Sequence, residues 1–429
     1  MRILLLNQYY HPDIAATAQL CTDWAESLAS QGHDVTVLCG SGRYRTPHLG
    51  LVPQQTDDLP AEQTWRGVHI VRVPVEDAPP PIGAAPSLRE RFDKLVGRLS
   101  RYGQFVSQAT LRLRRVPRPD VVVALTTPPL VGGLGLLAKK IHGAKLVLWV
   151  QDVYPDLLPA MGLMDAGSAP YLCLGQFARL LYRSADRIIA LDEAMAERLT
   201  NAGADSSQLT VIDHFADAQE IRPQPRGPSK IRQLVGLSDE FVVCYAGNHG
   251  RGHDFDTILQ ALQAQADSPP GMPPIHWLFV GDGDEKAGLV ARLPMAMRPY
   301  VHFLPPQARH ELPDVLAAGD VGLVAVKAAM QGLLAPSKLY GLLAAGRVIA
   351  YIGPQEGRIP LLLRECEIGI SVRNGQRPEL LQALWALAAD SVRWKRMAKL
   401  ARQLAETRFD KPIAMAQHER LLFDVVGSR

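Results

Sequence analysis

A short apolar run, a helix-like segment and a second apolar run recur in that order along this chain, which restricts it to parallel sheets wound with crossover helices. Ile3 to Leu6, the segment Ala16 to Ser30, the turn Gly32-His33 and the run Val35 to Leu38 make the first such unit. Val121 to Leu125, Leu130 to Ile141 and Leu146 to Val150 make the next, and Arg187 to Ala190 reads as a further buried strand. Around Pro223 to Pro228 the composition turns to Pro, Arg, Gly and Ser, as at a linker. The alternation then restarts with Phe241 to Ala246, a helix near Phe255 to Gln265, and apolar runs at His276 to Val280, Val301 to Leu304 and Val321 to Val326. The expected fold class is α/β, with two doubly wound, Rossmann-like domains facing across a cleft.

With 429 residues, the chain is long enough for two domains that each bury a core. A formal net charge of +3 is too small to argue for nucleic acid, and 47% hydrophobic with 21% charged residues is the balance of a globular protein. Cys21, Cys39, Cys173, Cys244 and Cys366 are scattered, with no CxxC pair, and read as reduced core thiols. Arg2 and Ile3 to Leu6 stop at Asn7 and Gln8, far short of a signal peptide or a spanning helix.

In such sheets ligands sit beyond the carboxyl ends of strands. Two glycine-rich loops fall there in the second half, Gly247-Asn248-His249-Gly250-Arg251-Gly252 and Gly281-Asp282-Gly283-Asp284. Neither has GxGxxG spacing, and turn geometry alone can require such glycines. A third segment, Ala335-Pro336-Ser337-Lys338-Leu339-Tyr340, leads into an apolar helix that ends at Gly346, followed by a strand at Val348 to Ile352. Pro336 suits a first helical turn, Ser337 can cap it or meet a phosphate oxygen, and Lys338 adds a cation at the helix start. An ordinary surface helix is the competing reading. His249 and His253 read as solvated loop residues, with donation to a phosphate as the alternative.

Several segments in order resemble the GT-B-fold retaining glycosyltransferases of family 4, above all the branch that builds bacterial O-antigen and exopolysaccharide. They are Gln8-Tyr9-Tyr10-His11-Pro12-Asp13 with Ala15-Ala16-Thr17, Gly32-His33-Asp34-Val35, Val150-Gln151-Asp152-Val153-Tyr154-Pro155, Ala185 to Ala190, Tyr245 to Asn248, Phe279 to Gly283, and Pro336 to Tyr340. The resemblance implies an acceptor-binding domain over 1–218, a nucleotide-sugar-binding domain over 219–405 and a helical tail over 406–429 that crosses back. It places Arg251 and Lys338 on the donor's diphosphate, Phe303 and Leu304 at the base, and Gly281 and Asp282 under the nucleotide. Gly247, Asn248, Pro336, Ser337 and Leu339 complete the donor site, and Tyr10, His11, Ala16, Thr17 and Tyr154 the acceptor side. Two cations suit a leaving diphosphate, which gathers negative charge as its bond breaks.

This chain departs from the pattern at two places. Many relatives carry two glutamates where Leu333 and Gly341 stand, so sugar and ribose contacts are expected from Ser337 or the Gln355-Glu356-Gly357 turn. Relatives often present a histidine where this chain has Gln151-Asp152. Asp152 is the candidate catalytic carboxylate, at a strand end that points into the cleft; a turn-capping role before Tyr154-Pro155 is the alternative. No protein nucleophile is nominated, and no metal and no cofactor are expected, on the reading that the chain lacks a DxD triplet and that cations furnish the phosphate site.

Between Arg89 and Arg118 the chain holds Arg89, Arg91, Lys94, Arg98, Arg101, Arg112, Arg114, Arg115 and Arg118 against Glu90 and Asp93. Phe92, Leu95, Leu99, Tyr102, Phe105 and Val106 recur at helical spacing, and Pro79-Pro80-Pro81 precedes them. The segment reads as an amphipathic helix able to lie on an anionic membrane; packing of its apolar stripe onto the domain is the alternative. The expected function is transfer of a sugar from a nucleotide-sugar, UDP favoured, to a glycan or polyprenyl-linked acceptor, in the cytoplasm at the inner face of the plasma membrane. A nucleotide-sugar epimerase of the same fold and an inactive nucleotide- or glycan-binding protein are the rivals.

Overall fold

The structure, a computed structural model, describes residues 1–13, 15–42, 59–76, 88–129, 131–225, 229–269 and 271–427. Two sheets carry the fold. The first holds β1 (Arg2–Leu6), β2 (Asp34–Gly40), β3 (Glu62–Trp65), β4 (Val68–Val73), β5 (Val121–Ala124), β6 (Lys145–Trp149), β7 (Arg187–Ala190) and β8 (Leu209–Val211) in the order β3-β4-β2-β1-β5-β6-β7-β8. The second holds β9 (Val242–Ala246), β10 (His276–Val280), β11 (Val301–Leu304), β12 (Val321–Ala325), β13 (Val348–Ile352) and β14 (Gly369–Val372) in the order β11-β10-β9-β12-β13-β14. Every pairing is parallel except β3 with β4. β1, β5, β9, β12 and β13 are almost wholly buried, because helices cover both faces, and so their sequences run apolar without alternation.

The helix Ala16–Ser30 buries Leu20, Cys21, Trp24, Ala25 and Leu28 on one face and ends before Gly32, whose φ of 85° reverses the chain into β2. In the second sheet the buried pair Arg232 and Asp320, 2.9 Å apart, fixes the starts of two central strands. The Asp320 carboxylate also accepts from the Val242 N–H, and the Arg232 guanidinium donates to the carbonyls of Ala318, Ser238 and Glu240. These added bonds satisfy the charges that burial strips of water.

The last helix, Lys411–Gly427, lies against the first helix of the chain. His418, fully buried, sits 4.6 Å from the Trp24 ring and 5.1 Å from Trp149, while Lys411 pairs with Asp23 at 2.9 Å and His33 with Glu419 at 2.9 Å. The two chain passages run side by side: the Ala216 N–H donates to the Phe409 carbonyl at 3.1 Å and the Lys411 N–H to that of Ala216 at 3.0 Å.

One sequence expectation changes here. Cys173 is exposed on the helix Ala169–Ser184 and is not a core thiol, although Cys21, Cys39 and Cys244 are. The basic segment is a helix, Leu88–Leu113, whose later turns bury Phe105, Ala109 and Leu113 against the first sheet while Val96 and Leu99 are exposed. Two of its cations are already engaged, Arg112 with Glu62 and Arg118 with the His142 carbonyl. Pro79-Pro80-Pro81 and the side chains of Arg89, Arg91, Phe92, Lys94 and Leu95 lie outside the described residues. Among the described residues, no helix is long and apolar enough to cross a membrane.

Candidate functional site

The strand order of the second sheet reverses between β9 and β12, so its crevice opens beyond the ends of those strands. The two glycine loops meet there. The Gly247 N–H donates to the Val280 carbonyl at 2.9 Å, and the His249 N–H to that of Asp282 at 2.8 Å. Gly281 has φ 134°, and a Cβ on it would fall 2.0 Å from the Gly247 carbonyl oxygen. On Gly283, with φ 153°, a Cβ would fall 2.5 Å from Asn248 Oδ1. Both positions therefore require glycine for close backbone approach as well as for φ. Gly247 and Asn248 are exposed at the rim.

Lys338 reaches this crevice from the short helix Lys338–Ala344. Its Nζ is buried without a hydrogen-bond partner and lies 3.5 Å over the Tyr245 ring, a cation–π contact beneath the glycine loop. Burial with no carboxylate nearby pushes this lysine well below its usual range. Ser337 is already in helical conformation and makes no side-chain capping bond, so the expected cap is not formed. The first turn instead closes through the Leu339 N–H to the Pro336 carbonyl at 3.2 Å.

His249 is fully buried, stacked on Phe255 at 5.4 Å, with neither ring nitrogen partnered; desolvation first and Lys338 second lower its pKa to about 3. His253, partly buried, donates from Nδ1 to the Ala325 carbonyl at 2.8 Å and is lowered to about 3 by the same causes. Neither is the solvated loop residue expected from sequence. Arg251 is partly exposed and faces Asp284 at 3.6 Å, at the mouth of the crevice. Phe303 stacks on Phe279 at 5.3 Å, and the Leu304 carbonyl accepts from the Gly281 N–H at 3.1 Å. Lys286, missed in the sequence, donates to the Gly281 carbonyl at 2.7 Å and adds a second ammonium beside the loops.

Asp282-Gly283-Asp284 spells an Asp-x-Asp triplet, so an expectation of no metal finds no support in that pattern's absence. The Asp282 Oδ1 accepts from the Gly283 N–H, and Asp284 faces Arg251. Among the described residues, no group of three metal-type ligands is gathered.

Across the cleft, Asp152 follows β6. Its backbone N–H and that of Gln151 donate to Thr126 Oγ1, at 3.2 and 3.0 Å. Its carboxyl is raised by desolvation to about 6, with no cation beside it. Asp152 forms a β-bridge with Leu334, and the Val153 N–H donates to the Leu333 carbonyl at 2.9 Å. Thus the loop that leads to Lys338 is stitched to the loop that carries Asp152. Tyr154, with its hydroxyl pushed up by burial, and buried Tyr10 lie on the same sheet's loops. His11 stacks on Trp65 at 4.6 Å, and Ala16 and Thr17 open the first helix, exposed and partly exposed.

The positions where glutamates were expected have other uses: Leu333 is buried, and a Cβ on Gly341 would come 3.5 Å from Leu316. Gln355 is bound to the Gly353 carbonyl and the Ser371 hydroxyl, and Glu356 pairs with Arg373. A further interdomain contact was not visible in the sequence: Arg358 grips Glu193 and Asp213, and Asp213 also accepts from the Tyr340 hydroxyl at 3.3 Å.

Two wound sheets facing across a cleft, with Lys338, Lys286 and Arg251 about the glycine loops on one side and Asp152 on the other, form the GT-B fold of sugar transferases. Residues 17–213 match the model of the glycosyl transferase 4-like domain, a little under half of the chain. The chain is 24% identical over 433 residues to a putative colanic acid biosynthesis glycosyl transferase, WcaI of Escherichia coli (strain K12), covering 97% of this chain and 98% of that protein. The probable glycosyltransferase WbjE of Pseudomonas aeruginosa is 29% identical over 269 residues, 59% of this chain and 62% of that protein. In fold it is similar to Anabaena Alr3699/HepE in complex with UDP-glucose, with a TM-score of 0.67 and 18% identity over 99% of this chain and 100% of that one.

Proposed function

We propose that this enzyme moves a sugar from a nucleoside-diphosphate sugar, UDP-linked, to a glycan or lipid-linked acceptor in cell-surface polysaccharide synthesis, with retention at the anomeric carbon. The buried, unpartnered Lys338 amino group carries the reading: kept from water and from every carboxylate, it is stabilised as an ammonium only when an anion enters. In this reading Lys338 and Arg251 hold the diphosphate with Gly247, Asn248, Pro336, Ser337 and Leu339. Phe303 and Leu304 flank the base, over Gly281 and Asp282. The bond from the anomeric carbon to the diphosphate oxygen breaks, and the acceptor oxygen bonds on the same face. Its proton passes to Asp152 or to the departing phosphate. Tyr10, His11, Ala16, Thr17 and Tyr154 border the acceptor.

The names of the WcaI and WbjE relatives support the polysaccharide context, and the UDP-glucose complex of a neighbour of the same fold supports the donor. Residues 1–218 serve the acceptor, 219–405 the donor, and 406–429 bind the two together. The exposed Val96 and Leu99, with Arg98 and Arg101, suit docking of the first domain on the anionic inner face of the plasma membrane. Calorimetry with UDP, GDP and ADP tests the donor: UDP should bind, and Lys338→Ala should weaken the binding. Uptake of none of the three by the intact protein would remove the reading. For the membrane, flotation with anionic vesicles should recover the protein and neutral vesicles should not.

A further inference from the structure

The strand order of the first sheet also reverses once, at β1, which lies between β2 and β5. Ligands of doubly wound sheets enter beyond the strand ends at such a point. Here the Gln8 N–H donates to the Thr127 carbonyl at 3.1 Å across the reversal, and Thr126 Oγ1 ties in the β6 end through Gln151 and Asp152. The residues at these ends are Asn7 to Tyr10, Leu125 to Pro128 and Val150 to Tyr154, and they include no lysine, arginine or histidine. Their one carboxylate is Asp152. Arg72, buried nearby on β4, spends its guanidinium on the carbonyls of Pro60 and His11. His11 continues the first loop and Arg98 bears on the Tyr154 hydroxyl, so the contrast with the lysines and Arg251 of the other crevice holds for the buried strand ends and not for the whole cleft.

A second observation concerns what these residues leave unmade. Asn7 Oδ1, Gln8 Oε1, the Tyr10 hydroxyl and Gln151 Nε2 are all buried without a hydrogen-bond partner, on side chains that are 0, 1, 3 and 6% exposed as residues. Native folds rarely leave such groups unmet unless water or a ligand completes them. The set mixes acceptors (Asn7, Gln8) with donors (Gln151, Tyr10). A sugar hydroxyl both donates and accepts and can answer either kind, whereas phosphate oxygens act mainly as acceptors. The bridge from Asp152 to Leu334 lays the loop of the second domain over the β6 side of this crevice, so parting of the domains would open it.

We propose that this crevice is a subsite for a neutral, hydroxyl-bearing sugar, read by Gln8 and Gln151, and that the enzyme therefore extends an existing saccharide instead of loading a first sugar onto a lipid phosphate. This rests on the sugar-transferase reading above. Saturation-transfer NMR on the full chain, with and without UDP, tests it with two kinds of probe that share one tail: citronellyl glycosides of glucose, galactose and mannose, and citronellyl phosphate. At least one glycoside should bind through its sugar protons, and the phosphate should not compete with it. Gln8→Ala and Gln151→Ala should each weaken that glycoside about tenfold, the effect of one lost hydrogen bond to a hydroxyl. Gln8→Glu and Gln151→Glu, which keep the volume, should weaken it while UDP affinity is unchanged. Competition by the phosphate, glycoside binding that survives all four changes, or a protein that takes UDP and no probe would each overturn the proposal and leave the donor reading standing. Failure to bind any nucleotide would instead remove the donor reading.

Discussion

The Val153 N–H donates to the carbonyl of Leu333 at 2.9 Å, and this bond joins the loop that carries Asp152 to the loop that leads to Lys338. Asp152 is thereby held at the cleft with its carboxyl raised to about 6. Activity should fall as pH drops through about 6, because the ionised form is the one that can take a proton. Asp152→Asn should lower kcat by about 10²–10⁴-fold and remove that acidic limb from the pH profile. The stability effect has the opposite sense. A raised carboxyl favours folding in its protonated form below the ordinary carboxylate range, and this contribution is lost as pH rises through about 6. The Asn variant should therefore melt higher than the parent at pH 8.

Lys338, held below its usual range by burial, should become fully charged when a diphosphate enters. Nucleotide binding should take up a proton and tighten as pH falls, which calorimetry in buffers of different ionisation heat will read directly. Lys338→Ala should remove the uptake and lower turnover by about 10²–10³-fold.

Gly281→Ala places a methyl where the Gly247 carbonyl already stands, at a φ that other residues avoid. Nucleotide binding should be lost and the domain destabilised by about 1–3 kcal/mol. The comparison is with Gly236→Ala, where φ is 71° and nothing lies within 4 Å of the added carbon. That change should cost strain alone and spare nucleotide binding.

Burial holds His214, His249 and His253 at about 3 and His418 at about 4. Depressed folded values mean that stability is fully present above pH 6.5 and is lost as pH falls from there toward 3 to 4. Urea unfolding should show this slope between pH 6 and 4, and His418→Gln should flatten part of it.

Arg358→Ala leaves Asp213 and Glu193 without their cation across the cleft. A loss of about 1–3 kcal/mol is expected for the half-buried pair. Because Asp213 also accepts from Tyr340, two residues after Lys338, UDP affinity should weaken as well.

The strands and their winding were legible, since each buried parallel strand writes an unbroken apolar run and each crossover ends in a glycine or polar turn. Lys338 and the glycine loops stood out for the same local reasons. His249 did not: a histidine among glycines looks solvated, and the rings of Tyr245, Phe255 and Phe279, brought to it from two strands and the following helix, bury it. Ser337 has the side chain of a cap, but its backbone is already helical and the hydroxyl makes no capping bond. Edge strands β3 and β8 carry too few apolar residues to announce themselves. Arg358 with Asp213, Trp24 with His418 and Val153 with Leu333 join residues more than a hundred positions apart, and no local pattern encodes such meetings.

Trp24, fully enclosed, owes part of its cover to His418, which lies almost the whole described chain away from it in sequence. During synthesis the first lobe therefore emerges from the ribosome with an indole face bare until the distant His418 segment has followed it. The order of translation leaves that surface unprotected for longest, and it is there that a chaperone would find a nascent chain to hold.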